Sequence, residues 1–406
     1  MYLKTKNKSE CCGCGLCGQV CNKNAITMKA DECGFTYPVI DENKCIKCGI
    51  CENKCIFKKE SPDISFETEF YAICNKDMTV VKESSSGGMF SLMAEKIISD
   101  GGAVYGVAYD DAFRVVHKKA ENITQAQEFR SSKYVQSDFE IVYNSVHRDL
   151  NAGRPVLVTG TPCQIKALQA WLTHINAETS KLYTCDNICH GVSSPLTFSD
   201  YLSFLRKYIP ADDHITSVNM RYKGDTGRKT TLWVGSAKNG SVDETKEFSY
   251  YRFFLNRIGN RPSCFNCQFT DYKRVGDLSV GDFWNSADTD FSFDASHGVN
   301  EVLVNSIKGK DLFDCICEGA YFQEVSKEKA WQPHLEYSTQ KPSNYEKFWK
   351  EYVYSDKREQ VMRKYLRVSP LFKIINIAIP FLQSMGIYSL FGKLYKKIFV
   401  KRTRVE

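Results

Sequence analysis

The chain is 406 residues long, with 43% hydrophobic, 13% aromatic and 25% charged residues, which excludes a disordered or fibrous protein and leaves room for a small module plus one or two domains with real cores. The net charge of +6 is modest, and the polar first ten residues carry no apolar core of a secretory signal, so a cytoplasmic setting with reduced thiols is expected. Against that background the 18 cysteines, ten of them between Cys11 and Cys55, point to metal rather than to disulfides.

The first element is a duplicated cysteine run. Cys11, Cys14, Cys17 and Cys21 have the spacing C-x2-C-x2-C-x3-C, and Cys45, Cys48, Cys51 and Cys55 repeat it. This resembles the bacterial two-cluster ferredoxin arrangement, in which the fourth cysteine of each run ligates the cluster of the other. One 4Fe-4S cluster is therefore expected on Cys11, Cys14, Cys17 and Cys55, and another on Cys45, Cys48, Cys51 and Cys21. Gly13, Gly15, Gly18 and Gly49 let the backbone curl around the clusters and aim amides at sulfur. A pair of zinc knuckles is the competing reading, but two identical four-cysteine runs fit two cubanes without remainder. Asn22 and Ile56 stand where a proline usually follows the fourth cysteine, a change that removes no ligand. Cys12 and Cys33 are spare and read as small buried hydrophobes.

A polar connector, Lys58 to Asp63, marks a domain boundary. From residue 70, strand-like runs such as Ala103–Ala108 and Val156–Val158 alternate with helical patterns, which predicts a mixed α/β domain. Ser84-Ser85-Ser86-Gly87-Gly88 precedes a predicted helix containing Leu92 to Ile98, a place where free amides meet phosphate, although serine there is more often a cap. Arg130 to Ser137 offers cations and a ring, against the plainer reading of a solvated basic loop. Pro155 to Ile165 reads as a buried strand leading through Gly-Thr-Pro to Cys163 at a helix start, where a thiol pKa is expected to be depressed. Cys163, Cys189, Cys264 and Cys267 would suffice for one more 4Fe-4S cluster if the fold brings them together; separate thiols or a zinc site are the alternatives at this point.

Taken together, Ser85-Ser86-Gly87-Gly88, Ser132-Lys133-Tyr134, Gly160-Thr161-Pro162-Cys163-Gln164, Cys189-His190-Gly191-Val192, and Cys264 to Cys267 followed by Gly276 to Trp284 resemble the beta subunits of coenzyme F-420 (deazaflavin) hydrogenases and dehydrogenases. The resemblance runs over roughly residues 70 to 330. It implies a flavin-dependent oxidoreductase carrying FAD and a further cluster on Cys163, Cys189, Cys264 and Cys267, with Cys185 as the rival to Cys189. Ser86, Gly87, Gly88 and Lys133 fall in its flavin-contacting segments. No catalytic acid or base is assigned, since His190 and Asp282 suit a ring neighbour and a structural hydrogen-bonder equally. The implied substrate is a small-molecule hydride donor or acceptor such as F-420, with a ferredoxin-linked reductase of another organic molecule and a non-catalytic electron-transfer subunit as alternatives.

The expected fold class is α+β. A small bacterial-type ferredoxin domain (1–60) leads to a mixed α/β flavin- and cluster-binding domain (61–335) and a helical basic C-terminal region (336–406). In that last region Leu371 to Phe391 is apolar but interrupted by Lys373, Pro380 and Gln383, and six cations follow from Lys393 to Arg404. Its uninterrupted apolar length is too short to span a bilayer, and it suits either an interfacial helix on anionic lipid or a hairpin packed on the main domain with a solvated basic end. A redox protein or lipid-bound electron partner is expected, and no nucleic acid.

Overall fold

The computed structural model describes residues 2–57, 66–223, 231–236, 242–243 and 250–366. The predicted connector at 58–63 and the apolar and basic tail beyond residue 370 lie outside the described residues.

The duplicated run is visible in the backbone. Gly13 and Gly15 have φ of 70° and 80°, and their equivalents Lys47 and Gly49 have φ of 56° and 75°. Left-handed residues at both positions turn each loop sharply back on itself before a single helical turn, Leu16–Gln19 in one run and Ile50–Asn53 in the other. Between the runs, β1 (Ile26–Ala30) and β2 (Thr36–Ile40) form an antiparallel pair.

The body of the molecule is an eight-stranded mixed sheet. Its strands are β3 (Glu69–Asn75), β4 (Ala103–Tyr109), β5 (Val115–Ala120), β6 (Val156–Gly160), β7 (Leu182–Asn187), β11 (Leu278–Asp282), β12 (Asn300–Val304) and β13 (Ala320–Glu324), in the order β13-β3-β12-β11-β7-β6-β4-β5. The central pairings β4–β6, β6–β7 and β7–β11 are parallel and the outer ones antiparallel. The apolar runs of the central strands are explained by burial on both faces. Val104 and Leu157 pack with Met93, Ile97 and Phe313 on one side, while Ala103, Tyr105, Val156 and Val158 pack with Tyr143, Leu168 and Trp171 on the other. The helices Met89–Ser99 and Ile307–Ile316 cover the first face, and Glu140–Asn151 and Pro162–His174 the second.

A smaller antiparallel sheet, β8 (Ile215–Tyr222), β9 (Thr231–Ser236) and β10 (Val242–Asp243), joins four helices around a separate aromatic core containing Phe198, Tyr201, Phe253, Phe348 and Tyr352. Phe35 and Tyr37 at β2 belong to that same core, so the N-terminal segment is packed in rather than tethered. The architecture is α+β. Because β6, β7 and β11 are parallel, the segments that follow them open at one edge of the sheet, the place where α/β sheets present their sites.

Candidate metal centre and its surroundings

Cys163 is the second residue of the helix Pro162–His174, whose start is locked by Thr161 N donating to Gln164 Oε1 at 3.0 Å, and Thr161 Oγ1 lies 3.2 Å from the Cys163 sulfur. Cys189 lies two residues beyond β7 and its sulfur accepts from Gly191 N at 3.4 Å. Gly191 has φ of 104°, and a Cβ there would meet Asn260 Nδ2 at 2.4 Å, so only glycine allows this loop to close on Cys264. Cys264 and Cys267 flank the end of a 3-10 turn, Pro262–Asn266.

These four thiols share one buried neighbourhood. Burial, then Cys163 and Cys267, push the Cys189 thiol up to about 12. Burial and Cys163 push Cys267 up to about 11, and burial, Cys189 and Cys267 hold Cys264 well above its ordinary value. Cys185 stays apart: it points into the opposite core with Leu157 and Leu278, and its S–H donates to the Asp186 carbonyl. Cys185 sits within β7, whereas Cys189 lies in the loop beyond its end, where strand alternation no longer fixes the side-chain direction, and the two cysteines reach different surroundings.

The expectation of a depressed pKa at Cys163 does not hold. The neighbouring Cys12 thiol, then burial, raises it well above its ordinary value, and these outweigh the helix start. Four buried thiols that resist ionisation stay protonated as they stand, and a bound cation that takes thiolate ligands would displace those protons. Zinc fits their spacing poorly: with Zn–S near 2.3 Å a tetrahedral site needs sulfurs about 3.8 Å apart. Among the described residues no three cysteines bring their sulfurs within 4.8 Å of one another.

In the N-terminal segment the two runs lie close together. Burial, then Cys11, Cys55 and Cys51, push Cys17 up to about 12, so Cys17 has cysteines of both runs near it. Cys51 is raised by burial and Glu52, with Cys21 and Cys48 also acting on it. Amides point at sulfur here too, from Gly13 to Cys11 and from Ala25 to Cys21, both at 3.4 Å. Cys45 is half-buried and Cys48 exposed. Cys12 is no inert filler: its thiol is in hydrogen-bonding reach of both Cys14 and Cys163, directly between two of the sets. Cys33 is half-buried and pushed up to about 12 by burial and Asp31.

The two serine- and cation-bearing segments meet. Ser132 N donates to Ser85 Oγ at 2.7 Å, and Arg130 pairs with Glu83 at 2.6 Å. Ser86 is buried, with its hydroxyl donating to the Val299 carbonyl at 2.6 Å. Gly87 is required by packing, since a Cβ would sit 2.4 Å from the Ile73 carbonyl, and Gly88 caps the helix Met89–Ser99 with φ of 83°. The Lys133 ammonium donates to the Glu128 and Arg130 carbonyls, each at 2.8 Å, and burial pushes its pKa down to about 7. A cavity of about 210 Å³ beside it is lined by Tyr109, Arg130, Ser132 and Asn219.

Residues 153–330 match the family model that describes the C terminus of the coenzyme F420 hydrogenase/dehydrogenase beta subunit. Across that stretch the chain is similar to this beta-subunit family. Among solved structures the chain is similar to a chain of the F420-reducing [NiFe] hydrogenase complex from Methanosarcina barkeri, at 16% identity and a TM-score of 0.44, covering 71% of this chain and 94% of that one. No curated protein matches.

The beta-subunit stretch contains Cys163, Cys189, Cys264 and Cys267, whereas the duplicated run and the segments around Ser86 and Lys133 precede it. It also contains a residue that sequence reasoning missed. Arg221 Nη1 donates to Tyr134 Oη and to Asp282 Oδ2, both at 2.8 Å, and Nη2 to the Ser85 carbonyl at 3.1 Å. One guanidinium thus ties three distant segments into a single corner at the end of β11. Two residues on, the Lys223 ammonium holds the Val81, Ser86 and His297 carbonyls at 2.7, 2.7 and 2.8 Å. The sequence shows only a pair of cations two apart, and it is the structure that sets them at the end of β8, a spacing that places both on one face. His190 stacks near His334 and Trp284, with ring centroids 4.0 and 5.3 Å away, and burial pushes its pKa down to about 3.

Proposed function

We propose that this chain is an iron–sulfur flavoprotein oxidoreductase that exchanges electrons between a hydride-carrying small molecule of the coenzyme F-420 class and a one-electron partner. Cys163, Cys189, Cys264 and Cys267 would hold one 4Fe-4S cluster, Cys11, Cys14, Cys17 and Cys55 a second, and Cys45, Cys48, Cys51 and Cys21 a third. FAD would bind at the corner where Ser86, Gly87, Gly88 and Lys133 meet Tyr134 and Arg221. When bound, the flavin accepts a hydride as two electrons and releases them singly, and each cluster carries one.

The chain's own residues make that use intelligible. Arg221 offers the corner a fixed cation: burial alone would lower its pKa, but Tyr134 and Asp282 beside it raise it. His190, kept neutral by burial, can donate or accept one hydrogen bond without adding charge. The Cys45–Cys51 loop, with Cys48 exposed and Ile46 59% exposed, is the end of the series that a protein partner can reach. Beyond residue 370 the apolar and basic segment is proposed to bring the protein to anionic lipid, near a lipid-bound partner.

The observation that carries the reading is the gathering of four thiols from three parts of the chain at the carboxyl edge of the parallel strands, with Cys12 linking them to the first-run cysteines. Reconstituted protein should contain about twelve iron per chain, four for each of three cubanes, and FAD should copurify noncovalently. A Cys264→Ser, Cys267→Ser double variant should lose about a third of the iron and keep the signals of the N-terminal clusters. Reduced F-420 with an acceptor dye is the turnover assay. Stoichiometric zinc without visible absorption would sink the proposal.

A further inference from the structure

Arg261 is a fully charged side chain with only 1% of its surface exposed, the largest among the most deeply buried residues. Its Nε donates to the Cys11 carbonyl at 2.7 Å, Nη1 to Gln136 Oε1 at 2.8 Å and Nη2 to the Thr36 carbonyl at 2.8 Å. The guanidinium also lies over the rings of Tyr37 and Phe35, 4.4 and 5.4 Å from their centroids. Among the described residues no carboxylate pairs with it, which is unusual, because an unneutralised buried cation costs several kcal/mol.

The groups whose charge bears on it are the Tyr37 phenol, then the Cys11 and Cys12 thiols of the N-terminal segment and the Cys264 thiol of the beta-subunit stretch, while Gly13 is so close that a Cβ there would sit 2.7 Å from Nη1. Arginine keeps its proton in any protein setting, so its charge is permanent.

We propose that Arg261 is the shared counter-cation of two redox centres, the one on Cys11, Cys14, Cys17 and Cys55 and the one on Cys163, Cys189, Cys264 and Cys267, and that it holds both reduction potentials up. The proposal rests on the cluster assignment above. Thiolate-ligated cubanes are anionic, and reduction adds one electron to each without breaking a bond. A fixed cation between them offsets that added charge in a medium of low dielectric. It also explains the three hydrogen bonds to two separate parts of the chain. Arg261 is a positioning residue that fastens the N-terminal segment where the two centres can exchange an electron.

The test is an EPR-monitored redox titration of the full reconstituted chain, with iron content measured beside it. Arg261→Met should make one-electron reduction of both neighbouring centres about tenfold less favourable, a shift of about −59 mV. The Cys45, Cys48, Cys51 and Cys21 centre, which Arg261 does not face, should move far less. Arg261→Lys keeps the charge and should retain most of the wild-type potentials. Gln136→Ala, which removes a hydrogen bond and no charge, should leave them unchanged and guards against a methionine variant that fails to assemble. Potentials that fall equally in the lysine and methionine variants, or that stay put in the methionine variant at full iron content, overturn the proposal. A wild-type chain that binds no iron would instead overturn the cluster reading beneath it.

Discussion

At the scale of single residues, the chain buries several ionisable side chains, Glu301, Arg261 and Arg274 among them. Glu301 on β12 is 1% exposed, and its carboxylate is met by Gln332 Nε2 at 2.7 Å on one oxygen while the other has no hydrogen-bond partner. Burial raises its pKa to about 8, against the opposing pull of Gln332 and Arg274. Between about 4.5 and about 8 the folded chain therefore keeps a proton that the unfolded chain has released, so stability falls as pH rises through that window, by at most ~1.4 kcal/mol per pH unit. Glu301→Gln, uncharged throughout, should remove that slope and gain stability at pH 8 relative to pH 5. Denaturant unfolding of both proteins across pH reads the difference directly. Parallel slopes would mean that Glu301 does not hold its proton.

At the scale of elements, the glycines of Ser84–Gly88 serve packing whatever ligand lies near. A Cβ on Gly87 would meet the Ile73 carbonyl at 2.4 Å and Asn300 N at 2.8 Å, and both belong to the backbone of adjacent strands, which cannot rotate aside. Gly87→Ala should cost about 1–3 kcal/mol or more, read as a lowered denaturation midpoint with an unchanged slope. The same loop carries the Ser86 carbonyl that receives Lys223, so loosening it disturbs the corner built by Arg221 as well. Motif glycines usually read as phosphate loops, and here steric contact between strands accounts for the residue type first.

At the scale of the whole molecule, none of the described helices is long and apolar enough to cross a membrane. Twelve Lys and Arg against two Glu between Lys357 and Glu406 concentrate the positive charge at the C-terminal end. If that end meets lipid through its cations, full-length protein should float with anionic vesicles at low salt and less at high salt. A chain ending at Ser369 should stay at the bottom of the gradient. Identical flotation of the two proteins would dismiss the lipid contact.

The duplicated cysteine run was legible in the sequence because its spacing is local, and both copies take the same left-handed turn before a single helical turn. The parallel strands were legible for a similar reason, as apolar runs buried on both faces. Tertiary structure decided what links distant segments. Cys12 reads as a spare thiol until the fold sets it between Cys14 and Cys163, and Cys163 loses its expected acidity because other thiols and burial surround it. Arg221 and Arg261 carry no motif, since a guanidinium gains its role from the carbonyls, rings and sulfurs that several elements bring to it, and pairings over such separations leave no period in the chain.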